Sequence, residues 1–191
     1  MKIIVVENNY VPNMVESCQG WYLLGDSAMT NTGKPFYPPD DCGRATASLS
    51  CVIRISRLGK HIDPKFAGRY FTHCAPAVNF KFPDYERQLL SENLSPEAAR
   101  SFDRALFVGE FEDISDAKPL ELRKNGKRVA HFEFSDMVLP IEDIISFTSR
   151  LNTLKMGDII VPALTDGEYI SREDLMEVYC KEKRLFHIRI K

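Results

Sequence analysis

The chain lacks an excess of charge of one sign, a long apolar run and any paired cysteine motif, and each absence removes a class of function. Lysine and arginine number 25 against 27 aspartates and glutamates, for a formal charge of -2. No one-signed field is available to gather nucleic acid or anionic lipid, so neither partner is expected. The opening run MKIIVV stops at Glu7, far short of the roughly 20 residues that span a bilayer, and no small-residue cleavage signal follows. A cytoplasmic location is the expectation. Five cysteines, Cys18, Cys42, Cys51, Cys74 and Cys180, form no CxxC pair and leave one over in any disulfide scheme. They read as reduced, partly buried thiols. The four histidines, at 61, 73, 131 and 187, never fall at the i, i+4 spacing that presents two imidazoles on one helix face, which argues against a zinc site. A GxSxG elbow, a P-loop, a dinucleotide fingerprint, fixed-period repeats and low-complexity tracts are all missing as well.

What is present reads as one domain over residues 1–191, with 44% hydrophobic residues to build a core. Residues 2–6 form a buried strand. From Met29 to Ala45 the chain is rich in glycine, proline and aspartate and reads as loop, with at most a short strand at Lys34 to Tyr37. Branched apolar residues alternate loosely with polar ones from Leu49 to Leu58, a strand closed by Gly59-Lys60. Asp63-Pro64 opens a helix, the aspartate capping free amides and the proline wasting no donor. Ser95-Pro96-Glu97 repeats the signal for a short helix to about Phe102. In ELRKNGKRVAHFEF, residues 121–134, Asn125-Gly126 separates two alternating segments. Both residues tolerate positive φ, so a hairpin is predicted.

After Pro140 the spacing of Ile141, Ile144, Ile145, Thr148 and Leu151 predicts an amphipathic helix to about Asn152, and Gly157-Asp158 leads into a strand at Ile159 to Val161. Near the end, Ser171 to Asp174 resembles a capping box. Met176, Val178 and Cys180, then Phe186, Ile188 and Ile190, alternate with period two about the turn Lys181 to Arg184, and this favours a terminal hairpin. Acidic pairs such as Glu110 with Glu112 and Asp113, or Glu142 with Asp143, offer oxygen donors to a divalent ion. They read more simply as solvated loop and helix-start charges.

Three segments taken in order carry more than their periodicity: GKPFYPPDDCGRATASLSCVIRISRLGKHI (33–62), RSFDRALFVGEF (100–111) and LRKNGKRVAHFEFSDMVLPIEDIISFTSRLNTLKMGDIIVPALTDG (122–167). Together with MKIIVVENNY they resemble small bacterial members of the fumarylacetoacetate hydrolase family over nearly the whole chain. The resemblance implies a β-rich α/β fold, a mixed β-sandwich or β-roll with short peripheral helices and no doubly wound sheet. It also implies an N-terminal strand and lid segment within residues 1–30, and a dimer formed through the β-rich face.

In that family a Glu-x-Glu pair and an Asp about thirty residues later hold Mg²⁺ or Mn²⁺, which polarises a 2-oxo or 1,3-diketo acid for hydrolysis, decarboxylation or isomerisation. Here the resemblance places the pair on Ser48 and Ser50 and the third ligand on Asn79. The family's lysine becomes Arg100, its histidine Asn13, the arginine of its ARD triplet Pro83, and its TGTPAG loop PALTDG with Leu164. Asn9, Tyr10, Asp84, Phe102, Asp103, Ser135, Asp136 and Met137 are kept, and most of these read as architectural. The family-equivalent pocket positions are thus Tyr10, Asn13, Ser48, Ser50, Asn79, Asp84, Arg100 and Leu164. None is expected to be catalytic or to hold a metal, and no cofactor is expected.

The implied role is a non-catalytic binding or regulatory protein, a homodimer or a heterodimer with an active paralogue, with a small carboxylate as candidate ligand. The alternative is a hydrolase, isomerase or decarboxylase with altered or weak metal dependence, in which Arg100 would bind a substrate carboxylate and Asp84 would move a proton.

Overall fold

A computed structural model describes residues 1–10 and 20–191. The strands are β1 (Ile3–Glu7), β2 (Gly20–Leu24), β3 (Met29–Asn31), β4 (Thr46–Ile55), β5 (Phe71–Lys81), β6 (Leu106–Val108), β7 (Glu112–Asp113), β8 (Leu120–Lys124), β9 (Lys127–Phe132), β10 (Ile159–Val161), β11 (Glu168–Tyr169), β12 (Leu175–Cys180) and β13 (Lys183–Arg189). Among the described residues four short α-helices accompany them, α1 (Pro64–Ala67), α2 (Pro83–Ser91), α3 (Glu97–Arg100) and α4 (Ile141–Ser149). The larger sheet runs β2-β1-β10-β4-β5-β6-β3, with β11 added to β4 and β7 to β5; the smaller runs β13-β12-β8-β9. Parallel pairs, β1 with β10 and β3 with β6, sit among antiparallel ones, so the sheet is mixed.

Strand β4 is buried along almost its full length because both faces of the sheet are covered. Leu49, Cys51, Ile53 and Ile55 point into the larger cluster, which they share with Leu122, Phe132, Met176 and Ile188 of the smaller sheet and with Ile144 and Ile145 of α4. Val52 points the other way, into a smaller cluster with Ile3, Val5, Tyr22, Ala77, Leu106, Val108 and Val161. Period-two alternation therefore divides β4 into a sandwich face and an opposite face, and Ser48 and Ser50 lie on the second.

Local signals hold where the expectation rests on a turn or a cap. Asp63 accepts from Lys65 N at 3.1 Å and starts α1. Asn125 and Gly126 take φ of 52° and 80° between β8 and β9. Asn125 Oδ1 also accepts from Leu175 N at 2.9 Å, tying the turn to β12. The C-terminal ambiguity resolves as a hairpin: Asp174 reaches back to Ser171 N at 2.8 Å as a capping residue would, but Glu173 adopts a φ of 69° and β12 follows. Pairing of β12 with both β13 and β8 overrides the local helix signal.

Other boundaries shift. The strand expected at 49–58 runs Thr46–Ile55, the helix expected to reach Phe102 stops at Arg100, and Lys34 to Tyr37 supplies a single bridge, Phe36 to Ile190. Phe36 nevertheless anchors the loop, stacking on Phe80 at 4.2 Å between ring centroids. Of the segment expected to form a lid, residues 20–24 are β2, paired to β1; residues 11–19, with Asn13 and Cys18, lie outside the described residues.

Asp158, 2% exposed, receives Lys2 N and Lys155 N at 2.8 Å each. The Lys2 ammonium lies 2.6 Å from Oδ2, the oxygen that also accepts from Lys155 N. Burial alone would push this carboxyl up, but the Lys2 and Lys155 donors hold it below the ordinary aspartate value. A group whose folded pKa is depressed contributes fully above the unfolded value near 4, and that contribution is lost as pH falls through the folded value. Asp158→Asn is therefore expected to cost about 2 kcal/mol at neutral pH. In urea titrations the difference from the parent should vanish in acid; a pH-independent difference would refute this account.

Candidate functional site

Ser48, Ser50 and Asn79 come together because β4 and β5 pair residue for residue. Ser48 lies opposite Asn79 and Ser50 opposite Ala77, and all three polar residues are at most 3% exposed. Directly paired residues point to the same face, so the three polar groups share the side carrying Ala77, Leu106 and Val108.

The segment Val161 to Gly167 runs alongside. Ser50 Oγ donates to Ala163 O at 2.6 Å, Leu49 N to Thr165 Oγ1 at 2.9 Å, and Thr165 N to Leu49 O at 3.0 Å. Leu164 packs against the same smaller cluster. Gly167 is needed for this approach, since a Cβ there would stand 2.9 Å from the Thr46 side chain.

Of the charged side of the site, only Arg100 was foreseen. Lys81 is two residues beyond Asn79 and on the same face, opposite Thr46. Its ammonium lies 3.9 Å from Glu86 Oε2 of α2. Glu86 accepts from Arg100 Nε at 2.7 Å and also from Nη2, while Arg100 Nη1 lies 3.3 Å from Glu7 Oε2. The guanidinium sits 4.9 Å over the Tyr22 ring, a cation–π contact. Burial would lower Arg100, but Glu86 and Glu7 more than offset it and hold its charge. Burial, reinforced by Glu7, pushes the Tyr22 phenol up and keeps it neutral. Two cations and two carboxylates thus neutralise one another at the junction of β1, β5, α2 and α3.

Two expected pocket residues are engaged elsewhere. Tyr10 donates its hydroxyl to His131 O at 2.6 Å and stacks on Phe132 with centroids 6.3 Å apart, pinning the N-terminal segment to the β8–β9 hairpin. Burial, with Asp136 and Asp166, raises its phenol. Asp84, in the first turn of α2, pairs with Arg87 on its own helix. Asn9, expected to be architectural, is saturated: Nδ2 donates to Leu139 O and Pro162 O, and Oδ1 accepts from Leu139 N. Ser135 and Asp136 close a turn on Glu133, and Phe102 packs on Phe82 at 4.9 Å.

Glu86 and Lys81 escaped the sequence reading for a physical reason. Lys81 lies on the strand period that faces the site, yet its approach to Glu86 and the pairing of Glu86 with Arg100 depend on α2 and α3 folding back on β5. Among the described residues, no group of three or more His, Cys, Asp or Glu is placed to hold a metal ion.

Residues 4–182 match the family model described as "Fumarylacetoacetate (FAA) hydrolase C-terminal". The chain is 20% identical over 178 residues to the oxaloacetate tautomerase YcgM of Escherichia coli (strain K12), covering 87% of this chain and 81% of that protein. In three dimensions it is similar to a fumarylacetoacetate hydrolase family protein from Yersinia pestis CO92, with a TM-score of 0.90 at 20% identity, covering 100% of this chain and 92% of the other. A fumarylpyruvate hydrolase from Pseudomonas aeruginosa, solved in complex with Mn²⁺ and pyruvate, superposes with a TM-score of 0.90 at 15% identity, covering 100% and 89%. With the β-rich fold, the short peripheral helices and a family match over nearly its whole length, this chain belongs to the fumarylacetoacetate hydrolase family.

Proposed function

We propose that this family member has given up metal-dependent chemistry and serves as a non-catalytic binding or regulatory protein, as a homodimer or in a heterodimer with an active paralogue. The observation that carries the reading is the donor set on the β4–β5 face. Ser50 has its hydroxyl proton engaged by Ala163 O, Asn79 turns its amide nitrogen to Ala105 O at 3.1 Å, and Ser48 offers one neutral hydroxyl. Mg²⁺ and Mn²⁺ are hard cations that depend on carboxylate charge and near-octahedral oxygen geometry. Three groups without formal charge do not supply the carboxylate charge such an ion depends on, so no step is derived through one.

The enzymatic alternative acts on a 2-oxo or 1,3-diketo acid with weak or altered metal dependence. It would require Arg100 to leave Glu86 and Glu7 to receive a substrate carboxylate, and Asp84 to leave Arg87. A small carboxylate bound without turnover would make the same demand on Arg100. No described helix is long and apolar enough to cross a membrane, and the proposed setting is the cytoplasm.

Calorimetric titration of the full chain with Mg²⁺ and with Mn²⁺, followed by absorbance assays on oxaloacetate and acylpyruvates, tests the reading. The expected result is no heat of binding at millimolar metal and no turnover above buffer. Metal binding at millimolar concentration or tighter, accompanied by turnover, would overturn it in favour of the enzyme.

A further inference from the structure

We infer that the β5 position opposite Ser48 receives an uncharged hydrogen-bond donor, with Asn79 Oδ1 as its acceptor. The donor is an internal water, or the N–H or O–H group of a small neutral molecule. The inference rests on the reading above of a site without a divalent ion, and it names the chemistry that takes the ion's place.

Asn79 is 1% exposed, and its Nδ2 donates to Ala105 O at 3.1 Å. That bond sets the sense of the amide, because a flipped amide would aim its oxygen at a carbonyl oxygen. In this orientation Oδ1 is buried, and no donor among the described residues reaches it. Buried acceptors in folded proteins nearly always have a donor, so the position has a specific requirement.

Charge narrows what can meet that requirement. Lys81 and Arg100 are both matched by Glu86, and Arg100 also by Glu7. A cationic donor would find no uncompensated carboxylate among these groups, and a carboxylate would bring acceptor to acceptor at Oδ1. Across the strand pair the Ser48 hydroxyl can rotate to donate or accept and so supplies a second contact. Ala77, Val108 and Leu106 add apolar surface on this face beside Ser50 and Lys81. An uncharged donor with an apolar body, such as a primary amide, satisfies all of these conditions. Water satisfies them too, with Asn79 and Ser48 as the minimum of two polar partners.

Crystals of the full chain, grown without ligand and then soaked separately in acetamide and in acetate, separate the two sources by shape and charge. The ligand-free crystal should show a water about 2.7–3.2 Å from Asn79 Oδ1. Persistence of that water in acetamide assigns the position to an internal water, and its displacement by the acetamide nitrogen assigns it to a ligand. In Asn79→Leu the density at this position should vanish; if that variant does not fold, the acetamide and acetate soaks of the parent decide alone. Acetate bound at Oδ1, or a flipped amide with nothing within hydrogen-bonding distance, would overturn the inference while leaving the non-catalytic reading standing. An octahedral ion at about 2.1 Å from Oδ1 would sink both, whereas turnover without metal and with the water in place would sink only the functional reading.

Discussion

Arg100→Met is expected to cost about 3 kcal/mol of folding stability, because it strands a largely buried carboxylate. Glu86 accepts two of the guanidinium's donors and keeps, once Arg100 is gone, only the Lys81 ammonium at 3.9 Å. The Arg100 and Glu86 side chains are 16% and 12% exposed, so solvent cannot replace the lost bonds as it does at a surface pair, where the expected cost would be below about 1 kcal/mol. The double variant Arg100→Met/Glu86→Met should recover most of the loss, since a buried ion pair replaced by apolar side chains of similar volume is often neutral or better. Arg100→Lys should fall between, keeping charge but losing the planar fork that reaches both Glu86 and Glu7. Urea midpoints for the parent, Arg100→Met, Glu86→Met and the double variant form a double-mutant cycle. A single Arg100→Met cost under 1 kcal/mol, or a double variant no better than the single, would show that this network is a surface feature without structural weight.

Placing acids at the three family-equivalent positions should create a metal site that the proposed reading denies to the parent. Ser48→Glu, Ser50→Glu and Asn79→Asp together add three formal negative charges to one face of β4–β5, and the expected outcome is Mg²⁺ or Mn²⁺ binding at millimolar concentration or tighter by calorimetry. Ser50 is fully buried and holds Ala163 O, so a glutamate there must displace the Val161 to Gly167 segment. The Ser48→Glu/Asn79→Asp pair, placed directly across the strands, gives a second route that leaves this bond intact. If either variant folds with the parent's circular dichroism and still takes no ion, the family-equivalent positions have been assigned to the wrong residues.

The Asn125-Gly126 hairpin, the Asp63-Pro64 helix start and the Ile141 to Thr148 periodicity were legible because each is decided within a few residues, by positive φ, a cap or a repeating apolar stripe; the helix stops at Ser149, short of the expected Asn152, and Leu151 is exposed. Strand β5 was not. Its apolar residues are buried on both faces, and it carries Pro76, which ordinarily argues against a central strand. The structure shows how the proline is tolerated: Gly109 N donates to Pro76 O at 2.8 Å. The ring nitrogen therefore faces the break between β6 and β7 and leaves the ladder to β4 intact. Helix α2 also went unread, although Pro83 stands at its first turn.

The sequence by itself determined the family, the β-rich fold and the hydroxyl and amide groups carried by Ser48, Ser50 and Asn79, because residue identity and local pattern are properties of the chain alone. Only the tertiary structure decided what those groups do. Ser50 is taken up by Ala163, 113 residues away, and Arg100 by Glu7, 93 residues away. Hydrogen bonds and ion pairs are short-range and directional, and partners so distant in the chain meet only once the sheet has closed and fixed their register.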